Sequence, residues 1–247
     1  VDDLLDMIAF VRETTGKPVG FKAVVGAYGF FDTMCKKINE RGIESAPDFV
    51  TIDSADGGTG AAPMSLIDNM GMPLRESLPM VVDMLKRHGL RERVKVCASG
   101  KLINPSEVAW AFCAGADFVN SARGFMFALG CIQALQCNKN TCPTGITTHN
   151  PELQRGLVPE DKAKRVANYA KNLMHEVGVI AHSCGVREAR SLQRKHVYLI
   201  DERGVPEPLS DRYPDKTPRP EYLIATDSVP VPRTAPRETR LNEPAEE

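Results

Sequence analysis

The sequence predicts an α/β fold on a parallel sheet, and three observations predict it. Short apolar runs alternate with helical stretches at the spacing of βα units. Glycines and other small residues follow those runs, where parallel folds place their ligand loops. The first legible element is a helix with no strand before it.

The elements follow in order. Asp2 to Thr15 sets Leu4, Leu5, Ile8 and Val11 at helical spacing and stops at Gly16-Lys17-Pro18. Val19 to Val25 reads as a strand crossed by one lysine, Lys22, and Asp32 to Arg41 as a helix. Phe49 to Ile52 is a second strand, followed by a Gly-rich loop and a helix from about Arg75 to His88. Val94 to Ala98 is a third strand and Pro105 to Cys113 a third helix of the alternation. Asp117 to Asn120 is a fourth strand, with apolar residues from Phe125 into Leu135 behind it. Helical periodicity returns from Asp161 to Cys184, and Ser191 to Ile200 closes the folded part. Nine of the 18 prolines fall in the last 45 residues, so 203–247 reads as a Pro-rich extended or disordered tail.

Composition excludes several classes. With 42% AVILMFWYC residues and 26% charged residues the chain is neither wholly disordered nor a disulfide scaffold. A net charge of −1 gives no reason to expect nucleic acid or an anionic membrane as partner. Val1 to Glu13 carries acid inside its apolar stretch, so it does not read as a signal peptide.

Four βα units fall short of a closed barrel, which takes eight units over roughly 250 residues. Ser99-Gly100-Lys101 follows the third strand and Ser121-Ala122-Arg123-Gly124 the fourth; each sets small residues beside one cation. Two such loops after the last two strands fit the phosphate site that many barrels place after strands seven and eight. The expected fold is therefore the C-terminal half of a (β/α)8 TIM barrel, strands five to eight, in residues 1–202. A small open sheet is the alternative. On the half-barrel reading the N-terminal strands come from a longer parent chain or a separate polypeptide, and this piece is not expected to fold or turn over alone.

Asp53 and the run Asp56-Gly57-Gly58-Thr59-Gly60 follow the second strand, and such glycines let backbone approach a flat or anionic ligand. Lys22, rarely tolerated unpaired in an apolar strand, is expected to project from the strand end toward a flavin or a substrate carboxylate.

Cys131, Cys137 and Cys142 give a Cys-x5-Cys-x4-Cys run that ends in Cys-Pro. Three thiolates without a fourth ligand suit a three-iron cluster, or a four-iron cluster with one open corner, better than tetrahedral zinc. Cys35, Cys97, Cys113 and Cys184 are scattered and read as small buried hydrophobes.

Taken together, Asp56 to Gly60, Ser99 to Lys101, and Ser121 to Gly124 leading into the triple cysteine and Cys142-Pro143-Thr144-Gly145 resemble the FMN-binding synthase domain of the glutamate synthase family. The resemblance implies a TIM barrel with FMN at its C-terminal face and a 3Fe-4S cluster beside it, Cys131, Cys137 and Cys142 as ligands. It implies that Lys22 lies near flavin and 2-oxoglutarate, and that Ser99–Lys101 and Ser121–Gly124 form the FMN phosphate segments. The implied reaction is reductive amination of 2-oxoglutarate to glutamate, with electrons from ferredoxin or an NAD(P)H-linked subunit. The implied setting is cytoplasmic, with room for membrane association through a segment outside this chain, and an oligomer is expected. One departure concerns the substrate: Ala23-Val24-Val25-Gly26 lacks the polar residues that full-length glutamate synthases carry after the lysine. Two alternatives stay open. An IMP-dehydrogenase-like barrel would use a catalytic cysteine without a cluster, and a non-catalytic electron-transfer or assembly subunit would hold the cluster with half a flavin site.

Overall fold

A computed structural model describes residues 1–26, 29–56, 66, 70–201 and 203–214. Gly57, Gly58, Thr59 and Gly60, and the Pro-rich stretch 215–247, lie outside the described residues.

The alternation read from the sequence is the alternation found. Helix α1 (Asp2–Thr15) leads to β1 (Gly20–Val24), α2 (Phe30–Arg41), β2 (Phe49–Asp53) and α3 (Leu74–Arg87). Then come β3 (Lys95–Ser99), α4 (Pro105–Ala114), β4 (Phe118–Asn120) and the short α5 (Arg123–Leu129). The chain continues through α6 (Pro151–Gln154) and the long α7 (Pro159–Ser183) to β5 (Tyr198–Ile200), β6 (Pro206–Pro208) and α8 (Leu209–Arg212). The four strands β1 to β4 pair in sequence order, all parallel. Helix α4 shows why such local signals were legible. Asn104 accepts the Glu107 N–H, Glu107 accepts the Asn104 N–H, and Pro105 supplies the preset φ of a first helical residue.

One face of the sheet carries the core. Val50, Ile52, Val96 and Ala98 are fully buried there, against Met34 and Ile38 of α2, Leu78 and Val81 of α3, and Ala111 of α4. The register sets Lys22, Thr51, Cys97 and Phe118 in one row of the opposite face, with Val24, Asp53, Ser99 and Asn120 in the next. That face is uncovered over much of its area: Val24 is 45% and Phe118 46% exposed. Both β1 and β4 are edge strands of this sheet.

The folded part runs beyond the expected boundary at residue 202. Strand β6 pairs antiparallel with β5, and Leu209 is fully buried in the main core. Arg194, buried with Asp83 of α3, also donates to the Tyr213 carbonyl at 2.6 Å, which fastens this terminal hairpin to the helical layer. Proline density pointed to an extended tail because it reports missing backbone donors, not the apolar residues between. Among the described residues no helix is long and apolar enough to cross a membrane.

Candidate functional site

Asp53, Ser99, Lys101, Ser121 and Arg123 lie at the C-terminal ends of the parallel strands or just beyond them. Lys22 Nζ lies 2.7 Å from Asp53 Oδ2, a diagonal contact across β1 and β2 on the open face. The other Asp53 oxygen accepts the Ser54 N–H at 3.1 Å, so the carboxylate is held from both sides. Lys22, midway along β1, is thus half of an ion pair with the last residue of β2. One row further in, Thr51 is buried and hydrogen-bonds Cys97, whose thiol burial pushes up. Cys97 and Cys184 are half-buried, whereas Cys35 and Cys113 are buried core thiols, each pushed by burial up to about 12.

Two loops meet above β2 and β3. The Ser54 hydroxyl donates to Asp56 and accepts the Leu74 N–H at 3.0 Å, tying the residues just after β2 to the start of α3. Gly100 is glycine by necessity: at φ 144°, a Cβ would stand 2.3 Å from the Ser54 Cβ. Lys101 follows in the left-handed region at φ 49°, a costly conformation for a side chain with Cβ. Its Nζ sits 3.6 Å from the Asp56 carboxylate. Asp56, Arg75, Lys101 and Trp110 border a hollow of about 200 Å³, and the Arg75 guanidinium lies over the Trp110 ring.

The loop after β4 is organised by a residue that the sequence did not single out. Tyr169 of α7 donates its hydroxyl hydrogen to the Ile103 carbonyl at 2.6 Å and lies 3.3 Å from Ser121 Oγ. The same hydroxyl fills the place where a Gly124 Cβ would sit, 1.9 Å away, and the ring meets Phe125 edge-on at 4.9 Å. Ala122 is exposed just before α5, while Arg123 is half-buried and makes no ion pair with another described residue. Nothing local marks Tyr169: its partners lie 48 and 66 residues away.

The cysteine segment is a loop with one short 3-10 turn, Cys137–Lys139. Three of its residues that are not glycine, Gln133, Leu135 and Asn140, have left-handed backbone, a density of strain that ordinary turns lack. Burial by itself raises the Cys142 thiol, but the Thr144 hydroxyl at 3.3 Å and the backbone N–H groups of Thr147 and Thr144 outweigh it, bringing it down to about 6. Cys131 Sγ accepts the Gln133 N–H at 3.4 Å. All three cysteines are free thiols. They are not drawn to one point: among the described residues no group of three or more His, Cys, Asp or Glu side chains is placed to hold a metal ion.

Residues 1–187 match the family described as the conserved region in glutamate synthase. The chain belongs to the glutamate synthase family. It is 42% identical over 202 residues to the Bacillus subtilis glutamate synthase large subunit-like protein YerD, covering 82% of this chain and 38% of that protein. It is 38% identical over 195 residues to the archaeal glutamate synthase [NADPH] of Methanocaldococcus jannaschii, covering 78% of this chain and 37% of the relative. This glutamate synthase-family chain thus spans well under half the length of those relatives. Among solved structures, a flavocytochrome b2 mutant with pyruvate bound overlays on 76% of this chain and 36% of its own, at 16% identity and a TM-score of 0.47. A likeness at that level assigns nothing. Membership in the glutamate synthase family stands against the IMP-dehydrogenase-like alternative.

Proposed function

We propose that this chain carries the C-terminal half, strands five to eight, of the FMN-binding barrel of a glutamate synthase-type oxidoreductase. The reaction is the reductive amination of 2-oxoglutarate to glutamate, and FMN, when bound, supplies the hydride that reduces the 2-imino acid. The observation that carries this reading is convergence. Asp53, Ser99, Lys101, Ser121 and Arg123 stand at the C-terminal ends of β2 to β4 or in the loops just beyond, where parallel folds bind ligands, and Lys22, midway along β1, reaches that end through its contact with Asp53.

The donor set fits the groups that the family implies. Arg123, with no carboxylate partner among the described residues, and the hydroxyl of Ser99 suit a phosphate. In this reading Ser99–Lys101 and Ser121–Gly124 hold the FMN phosphate. Lys22, fixed by Asp53, donates to the flavin or to the 2-oxo acid at the same strand end. Cys131, Cys137 and Cys142 hold a 3Fe-4S cluster; the thiolate-stabilising contacts around Cys142 suit a ligand sulfur, and the segment has to close further to bring all three together. A 4Fe-4S cluster with an open corner is the less favoured form.

The exposed face and the two sheet edges, unpaired among the described residues, support a barrel completed by N-terminal strands, from the same polypeptide or another. Ferredoxin or an NAD(P)H-linked subunit donates the electrons, and the assembled enzyme is a cytoplasmic oligomer. The test is the purified protein with its barrel completed by those N-terminal strands. Flavin bands plus a broad sulfide-to-iron shoulder, with iron lost in Cys137→Ser, are expected; a colourless protein, or Cys137→Ser with full iron and acid-labile sulfide, rules the reading out.

A further inference from the structure

We propose that Tyr169 is the positioning residue that sets the spacing of the two phosphate loops, and through it the preference of this site for a phosphorylated flavin. The inference rests on the FMN reading above and adds a residue to it from outside the sheet.

The argument begins with one hydroxyl. A tyrosine O–H has one proton, and the 2.6 Å contact commits it to the Ile103 carbonyl. At 3.3 Å from Ser121 Oγ the same oxygen can only accept, so Ser121 must be the donor of that contact. The loop after β3 and the loop after β4 are thereby tied to a single atom. Two further contacts locate that atom. Gly124 leaves open the space that the hydroxyl fills, and the Phe125 ring stands at 88° to the tyrosine ring. Helix α7, which packs on both α4 and α5, supplies the anchor. A phosphate spanning Ser99–Lys101 and Ser121–Gly124 then meets loops whose separation is already fixed, so less ordering accompanies binding. The Ser121 proton, directed at Tyr169, leaves anion binding there to backbone N–H groups and Arg123.

Tyr169→Phe keeps the ring and its contact with Phe125 and removes both hydrogen bonds. FMN and riboflavin share the ring system and differ in the phosphate, so paired titrations of the apo-flavin protein separate loop spacing from general damage. The expected result is an FMN Kd raised about tenfold, the size of one or two net hydrogen bonds, with riboflavin changed less than about twofold. Equal weakening of both flavins, or no weakening of FMN, overturns the proposal for Tyr169. If the unsubstituted protein itself fails to prefer FMN over riboflavin, the phosphate reading of the loops falls first and takes this inference with it. A second measurement needs no variant: amide exchange in the unsubstituted protein should slow on FMN addition at 121–124, at 101–104 and in α7 around Tyr169, and not on riboflavin addition. Protection that reaches the loops but leaves α7 unchanged overturns the proposal.

Discussion

The two ends of the parallel sheet are built on opposite terms. At the N-terminal end, Asp48 accepts the Val19 N–H at 2.7 Å and pairs with Arg12 and Arg93, both at 2.9 Å. Asp117 repeats the device two strands over, accepting the Val96 N–H at 2.8 Å and pairing with Arg91 at 2.9 Å. Each carboxylate closes a strand start and satisfies guanidinium groups at once. The C-terminal end instead holds a left-handed lysine, a glycine that admits no side chain, and an arginine half-buried without a carboxylate among the described residues. One end spends its charges on backbone; the other pairs Lys22 with Asp53 and Lys101 with Asp56 and leaves Arg123 without a carboxylate among the described residues. The lesson is that saturation of polar groups, more than their number, separates a structural end from a binding end.

That contrast can be broken from its strong side first. Asp48→Asn should destabilise the fold by about 2–3 kcal/mol in urea unfolding, because it weakens three contacts with partly buried donors, while leaving FMN affinity unchanged. A large change in FMN affinity without loss of stability would erase the distinction. The same residue gives a pH signature. Burial alone would raise the Asp48 carboxyl, but the Val19 N–H, Arg12 and Arg93 outweigh it and hold it below the usual carboxylate range. Asp32, buried beside His88 and Lys36, is depressed in the same way. A carboxylate depressed on folding contributes stability that is present above its unfolded value of about 3.9 and lost as pH falls through the lower folded one. The stability gap between the unsubstituted protein and Asp48→Asn should therefore shrink as pH drops below about 4. A gap that persists to pH 2 contradicts it.

From the other side, Arg123→Ala should raise the FMN Kd by about tenfold or more, as expected for a charge-assisted contact, with unfolding midpoints shifted by less than about 0.5 kcal/mol. Equal FMN affinity in the two proteins removes Arg123 from the site. The smallest effect belongs to Lys101→Ala, a few-fold at most, because its partly exposed charge is already engaged with Asp56. A loss as large as that of Arg123→Ala would show that Lys101 reaches the phosphate directly.

Much of this was written in local pattern. Strand and helix limits moved by only one or two residues, since apolar periodicity, Asn104, Pro105 and the glycine stops act within a turn of where they stand. What stayed hidden depends on distance along the chain. That the Asp53 carboxylate meets Lys22, 31 positions earlier by number but adjacent in the sheet, is one such contact. Gly100 and Gly124 read only as small residues beside a cation; that Ser54 and Tyr169 occupy the space beside them does not show in the sequence. Tyr169, one tyrosine in a long amphipathic helix, carries no mark at all. The thiol chemistry of Cys142 was likewise unreadable, for it depends on where Thr144 and Thr147 turn their donors.

The terminal hairpin has a further consequence. Two of the three residues of β6 are proline, so at Pro206 and Pro208 the strand has no N–H to offer a neighbour. A bare β edge is a template on which another chain can add a strand, and proline is among the residues that blunt it. The prolines that suggested a loose tail thus guard a folded edge against sticking to its own kind.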